Sequence, residues 1–174
     1  MKVIKIILIT LISGILILVA CKALNPDENL TIQRVDYTGN ELRTDGYYYY
    51  FFENNTVVYF LYRNGIILCA HSYPSNDLNF VEKEMVKIYS EIRKQKFGWG
   101  VFLICNNTIE YETWNVPISV SMPIIRCKGY IENDTTFCIT ESYYSDLKKT
   151  EYSNEIYHFK QFNNKPDSTN VYIK

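Results

Sequence analysis

Trp99 to Trp114 reads WGVFLICNNTIEYETW. The first seven residues are apolar on both faces, as in a strand covered on both sides. Asn106-Asn107 then turns the chain. In Thr108 to Trp114, Ile109, Tyr111 and Thr113 alternate with Glu110 and Glu112, so one face of that strand is wet. Two such runs joined by two turn-forming residues predict an antiparallel hairpin.

The same pattern extends in both directions. Upstream, Gly46 to Phe52 (GYYYYFF), Thr56 to Tyr62 (TVVYFLY) and Ile66 to Ser72 (IILCAHS) read as strands. The first two are separated by Glu53-Asn54-Asn55, and the second and third by Arg63-Asn64-Gly65, whose Asn-Gly pair favours a tight turn. Downstream, Ile124 to Ile131 and Thr135 to Thr140 flank a turn at Glu132-Asn133-Asp134, and Glu155 to Phe162 (EIYHFKQF) is the last clear strand. Asn115 to Pro123 reads as a loop, Ser142 to Asn154 as irregular or a short helical turn, and Asn163 to Asn170 as a turn-rich end. One helix interrupts the series. Ser75, Asn76 and Asp77 offer caps, Gly98 closes the segment, and Leu78, Val81, Met85, Ile88 and Ile92 form one stripe with Tyr89 beside it. Over Leu78 to Lys96 this stripe is expected to pack on the sheet or to plug a barrel end.

About eight short strands linked mostly as hairpins make a mainly β antiparallel meander, wide enough to close into a small barrel. WGVFLICNNTIEYETW, GYIENDTTFCI and YHFKQF resemble the up-and-down meanders of lipocalin-like proteins, and also small bacterial lipoproteins. The resemblance implies a barrel, although lipocalins carry their helix after the barrel and here it follows the third strand. A β-sandwich or a curved open sheet covered by the helix is the alternative.

The amino terminus has a separate logic. Lys2 and Lys5 precede an apolar core from Ile6 to Val19, then Leu18-Val19-Ala20-Cys21. A charged start, an apolar core and a small residue before a cut site form an export signal. The core is shorter than the ~20 apolar residues of a transmembrane helix. Leu18 to Cys21 resembles the lipobox of bacterial lipoproteins. That resemblance implies diacylation of the Cys21 thiol, with chains such as palmitate, and cleavage before it. Each buried CH₂ contributes about 0.8 kcal/mol, so two or three chains anchor firmly where one does not. The expected division is therefore signal peptide 1–20, acylated terminus and tether 21–39, and one globular domain 40–174. The expected location is the periplasmic or surface side of a bacterial membrane.

Loss of Lys2 and Lys5 with the signal takes the net charge from −1 to −3. A mildly acidic domain lacks the clustered Lys/Arg that binding to phosphates requires, which excludes nucleic acid as a partner. Sixteen Tyr and nine Phe suit pleated, half-buried surfaces, or a surface that stacks on flat ligands.

Few residues suggest chemistry. His71 and His158 are the two histidines, and no spacing of zinc ligands occurs. Cys69 and His71, two apart on one strand, could bring a thiol to an imidazole. Glu110 and Glu112 share a strand face, as an acid pair would, though without a third group or a cleft the spacing fits a solvated edge better. No catalytic or metal-binding residue and no cofactor is expected. With Cys21 acylated, four cysteines remain, an even number in an exported domain. Cys127 and Cys138 would face each other across a turn centred between Glu132 and Asn133, and that register would allow a disulfide between them; the alternative is that all four cysteines are small buried apolar residues in reduced form. Asp134-Thr135-Thr136 and Asp167-Ser168-Thr169 resemble bacterial O-glycosylation acceptors. The expected activity is non-catalytic: a small apolar or aromatic ligand held in the barrel of a lipoprotein that reaches the membrane through acyl chains on Cys21. The alternative is a structural or assembly lipoprotein docking on an envelope protein.

Overall fold

The computed structural model describes residues 28–117 and 121–174. Eight strands, β1 (Gly46–Phe52), β2 (Asn55–Leu61), β3 (Ile66–Tyr73), β4 (Trp99–Cys105), β5 (Thr108–Trp114), β6 (Ile124–Asn133), β7 (Thr136–Tyr144) and β8 (Lys149–Gln161), pair in sequence order. They form a closed antiparallel barrel, β8 returning to β1 with Tyr48 opposite Phe159. The barrel expected from the meander is therefore present, and the open alternatives are not. The segment 142–154, expected to be irregular, instead continues β7 and β8 around a turn at Ser145–Lys148. A register shift between Ile139 and Glu141 disguises it, because the inward and outward positions exchange there.

Strand alternation separates two cores. The lumen takes residues from every strand, including Tyr48, Leu61, Ile67, Phe102, Tyr111, Cys127, Phe137 and Tyr157. Its rings touch in series. Phe159 meets Tyr48 at 5.3 Å between centroids, Tyr48 meets Phe137 at 5.1 Å, and Phe137 stacks on Tyr157 at 4.6 Å and 7°. Tyr157 meets Tyr59 at 5.4 Å, and Tyr59 meets Tyr111 at 5.7 Å. The expectation of a ligand inside the barrel meets this constraint: the lumen is occupied by side chains.

The second core lies outside the wall. The helix α1 (Leu78–Ile92) starts at Asp77, whose Oδ1 accepts the amide of Asn79 at 2.9 Å. It buries Val81, Met85 and Ile92 against the outward residues Tyr47, Val58, Phe60, Leu68 and Ala70 of β1–β3. Of the two expected positions, α1 takes the sheet face and plugs neither end. Gly65 has φ +74° while Asn64 does not share it, so the turn after β2 is a three-residue loop closed by a left-handed glycine.

The two barrel ends differ. At the floor, where the chain turns after β2, β4 and β6, Tyr37 and Leu42 close the lumen. The Leu42 amide donates to the Tyr37 hydroxyl at 2.7 Å, and the Tyr37 amide donates to Arg63 O at 2.7 Å. At the mouth the chain turns after β1, β5 and β7. The segment 28–39, expected to be tether, is fastened to the wall between them. Trp114 Nε1 donates to Glu28 O at 2.8 Å, and the amides of Thr31 and Ile32 donate to the Glu112 carboxylate at 2.5 and 2.9 Å. The physical reason is a buried outward acid, which the strap's amides and Arg126 satisfy. At the other terminus, Lys165 Nζ donates to Thr44 O and Leu61 O, and burial lowers its pKa to about 7.

Burial alone would raise the Glu112 pKa, but the amides of Ile32 and Thr31, the Thr31 hydroxyl and Arg126 outweigh it and hold the carboxyl below its ordinary 4.5. A depressed carboxyl stabilises the fold above its ordinary pKa and loses that contribution as pH falls through the folded value. The protection of the Thr31 and Ile32 amides against hydrogen exchange, taken relative to their intrinsic rates, should therefore fall on acidification below about pH 4.5 before that of the lumen strands. Met85→Ala should lower unfolding free energy by about 2–5 kcal/mol, measured by denaturant titration.

Candidate functional site

A mismatch of strand lengths creates the one site that draws on the sequence motifs. Pairing of β3 with β4 ends at Leu68 opposite Trp99, yet β3 continues to Tyr73. The gap in the wall beyond that point opens a pocket of about 320 Å³ at the mouth. Val57, Tyr59, Cys69, His71, Thr113 and Ile125 line it from the strands, and Phe97, Gly98, Trp114 and Val116 from the flanking segments. Gly98 has φ +85° and lies so close to β3 that a Cβ would come within 2.5 Å of Cys69 O. Its backbone crosses the gap, accepting the Cys69 amide at 2.8 Å and donating to Trp114 O at 2.7 Å.

His71 is the distinctive residue of this wall. The β2–β3 register shifts between Val57 and Tyr59, which leaves a bulge beside it. His71 adopts φ +79°, a left-handed conformation that costs a side-chain-bearing residue on the order of 1 kcal/mol or more. The bulge places the imidazole in an edge contact with the Phe97 ring at 5.6 Å. Burial lowers the His71 pKa, so the ring is neutral near pH 7.

Cys69 and His71, read from the sequence as sharing a face, both line the pocket. Their chemistry is not that of an activated thiol. Burial raises the Cys69 pKa despite hydrogen bonding to Tyr59 and to the His71 amide, so the sulfur stays protonated. Behind it, polar contacts continue through Tyr59 and Tyr111 to Cys127, whose Sγ lies 3.4 Å from Ser142 Oγ. Burial raises the Cys127 thiol to about 11. These groups give the aromatic lumen internal partners for its hydroxyls. The pocket is thus an apolar, aromatic recess with a few polar edges at His71, Thr113 and Asn115.

The other sequence candidates lie elsewhere. Glu110 and Glu112 do share the outer face, but Glu112 is buried under the strap and Glu110 pairs with Arg126 and Lys128 at 3.4 and 3.6 Å. Neither borders a cleft, and Glu112 is not the solvated edge the sequence suggested. His158 is exposed on the outer wall beside Tyr49, with ring centroids 6.0 Å apart. No group of three His, Cys, Asp or Glu that could hold a metal occurs among the described residues. Ser168 Oγ accepts from Asn64 Nδ2 at 2.8 Å, and Thr135 Oγ1 donates to Asn133 Oδ1 at 2.7 Å. Cys21 lies outside the described residues.

The expected Cys127–Cys138 disulfide is corrected by the register. Cys138 faces Tyr130, and Cys127 faces Ser142. The hairpin turns at Asp134-Thr135, two residues later than expected, which carries the two cysteines past each other. Cys127 lies in the lumen, whereas Cys138 alternates with the lumen residues Phe137 and Ile139 and so faces the other way. Both are free thiols.

Comparison with protein families, with curated proteins and with solved structures returns no match to this chain.

In the native protein, Cys105 is the exposed thiol, and Cys127 and Cys138 are buried. Cys105 should react first with a thiol reagent. Cys69, Cys105, Cys127 and Cys138 should all be titrated once the chain is unfolded without reductant. A loss of two thiols in that count would instead reveal a bridge.

Proposed function

We propose that this chain is an acylated lipoprotein of the bacterial envelope whose barrel holds a small apolar or aromatic ligand at its mouth. The observation that carries the reading is the strained His71 on an aromatic-lined recess. Backbone strain in a strand persists where the surroundings enforce it, and such positions concentrate at ligand sites. A recess of about 320 Å³ falls within the range of small-molecule sites, and barrel mouths are a recurrent place for them. The filled lumen confines the ligand to the recess. One flat ring or a short apolar group fits between Phe97, Trp114, Tyr59 and Ile125, with His71 and Thr113 able to bond a polar edge. The protonated Cys69 thiol and neutral His71 support binding rather than turnover.

For the amino terminus, the support is the charged start, the apolar core and the Leu-Val-Ala-Cys motif at Leu18 to Cys21. Cys21→Ser should abolish acyl labelling and leave an unprocessed precursor. Full processing with unchanged membrane retention would contradict the anchor.

A second reading, docking on an envelope protein, is favoured by an exposed apolar strip on the outer wall of β6, β7 and β8 and the end of β1. There Tyr130, Ile156 and Phe51 are each 44–48% exposed, with Tyr130 and Ile156 flanking Cys138 on neighbouring strands. The two readings separate in one titration with an environment-sensitive aromatic dye, anilinonaphthalene sulfonate. Val57→Trp, which fills the recess, should weaken dye binding by about tenfold or more, equivalent to about 1.4 kcal/mol. His71→Gly should also weaken it while leaving stability unchanged or raised, because glycine relieves the positive φ. Dye binding that survives Val57→Trp but falls with Tyr130→Asp would favour the docking face.

A further inference from the structure

We infer that the mouth of the barrel rests on a lipid bilayer, with Phe52, Val116 and Leu147 dipping into the interface. Two independent observations converge on that end. The first is where the strap begins. Glu28 is held at the mouth, its carbonyl accepting Trp114 Nε1 at 2.8 Å and its amide donating to Met122 O at 3.3 Å. Seven residue steps separate it from Cys21. At 3.3–3.6 Å per residue these reach no more than about 25 Å. An acylated Cys21 therefore lies within about 25 Å of the mouth, the end at which the strap begins. This part rests on the lipoprotein reading given above.

The second observation does not depend on acylation. The mouth presents large apolar side chains to solvent: Phe52 at the end of β1 at 56% exposure, Val116 after β5 at 56%, and Leu147 after β7 at 63%. At the floor, the turns Arg63-Asn64-Gly65, Asn106-Asn107 and Asp134-Thr135 carry none, although Val35 of the strap beside Gly65 is 53% exposed there. Three large apolar side chains from three separate strand connections thus share one rim. Tyr152 and Tyr143, also exposed near that end, are residues that settle at the headgroup level. The rim holds Glu53 and Asp146 as well as Lys148 and Lys149, so it lacks a cationic bias. The bilayer is then engaged through apolar insertion rather than through attraction to anionic lipid. The recess opens beside Val116 on this same rim, which makes a membrane-borne amphiphile its accessible ligand.

The test places a reporter at each end of the full chain. Leu147→Trp marks the mouth and Asn106→Trp the floor, with Trp99 and Trp114 as the common background. Each acylated variant is reconstituted into vesicles of phosphatidylethanolamine and phosphatidylglycerol containing brominated lipid, which quenches nearby indole fluorescence. The added emission of Leu147→Trp should be strongly quenched and that of Asn106→Trp should persist. Equal quenching of both, or none at Leu147→Trp in protein shown by mass to carry acyl chains, overturns the inference and leaves the lipoprotein reading intact. Quenching at Leu147→Trp in protein shown to lack acyl chains removes the anchor but supports the rim as a membrane surface.

Discussion

The stack of Phe137 on Tyr157, 4.6 Å apart and nearly parallel, sits at the centre of a column of rings that fills the barrel. An eight-stranded barrel encloses little more than its own inward side chains. Here tyrosine and phenylalanine take that space, and each well-oriented ring pair adds about 0.5–1.5 kcal/mol beyond its burial. The column also explains why β8 closes on β1, since Tyr48 bridges Phe159 of one neighbour and Phe137 beyond it. Tyrosine hydroxyls inside the lumen need partners, and the chain Cys69–Tyr59–Tyr111–Cys127–Ser142 provides them. Cys69 and Cys127 thus serve as small polar contacts of the lumen hydroxyls.

A full lumen moves any binding function to a surface. The mouth supplies one because β4 starts opposite Leu68 and leaves the end of β3 without its neighbour. The bulge at His71 then directs a polarisable ring at Phe97 across the opening. The floor is sealed by Tyr37 and Leu42 and the outer wall of β1–β3 by α1. Glu112 ties the strap along β5, so the amino terminus reaches the barrel at the same end as the recess.

Much of the fold was legible in the sequence because turn chemistry and alternation agreed at most junctions. WGVFLICNNTIEYETW gives β4 and β5 with the observed bounds, and the stripe Val81, Met85 and Ile92 gives the buried face of α1. At Ile139/Glu141 and Ile131/Asn133 the register shifts, and alternation cannot be counted across a bulge. The β7–β8 hairpin was lost there, and the Cys127–Cys138 pairing was lost because the β6–β7 turn falls at Asp134-Thr135, two residues past the one read from the sequence. The strap was misread because the partner of Thr31 lies 81 residues away, on an acid that resembles any solvated glutamate. Of the recess, the sequence flagged only Cys69 and His71. Tyr59, Phe97, Thr113 and Ile125 carry no local motif and meet through topology alone.

The central claim is that the lumen is closed to ligands and the mouth is open to them. Titration of the isotopically labelled protein with indole, followed by backbone amide chemical shifts, tests it directly. The account predicts shifts at Val57, Ser72, Gly98, Asn115 and Ile125 around the recess, with Tyr111, Ile139 and Tyr157 in the lumen unmoved. Shifts that are largest at Tyr111, Ile139 and Tyr157 would show that the ring column opens to admit a ligand, and would contradict it.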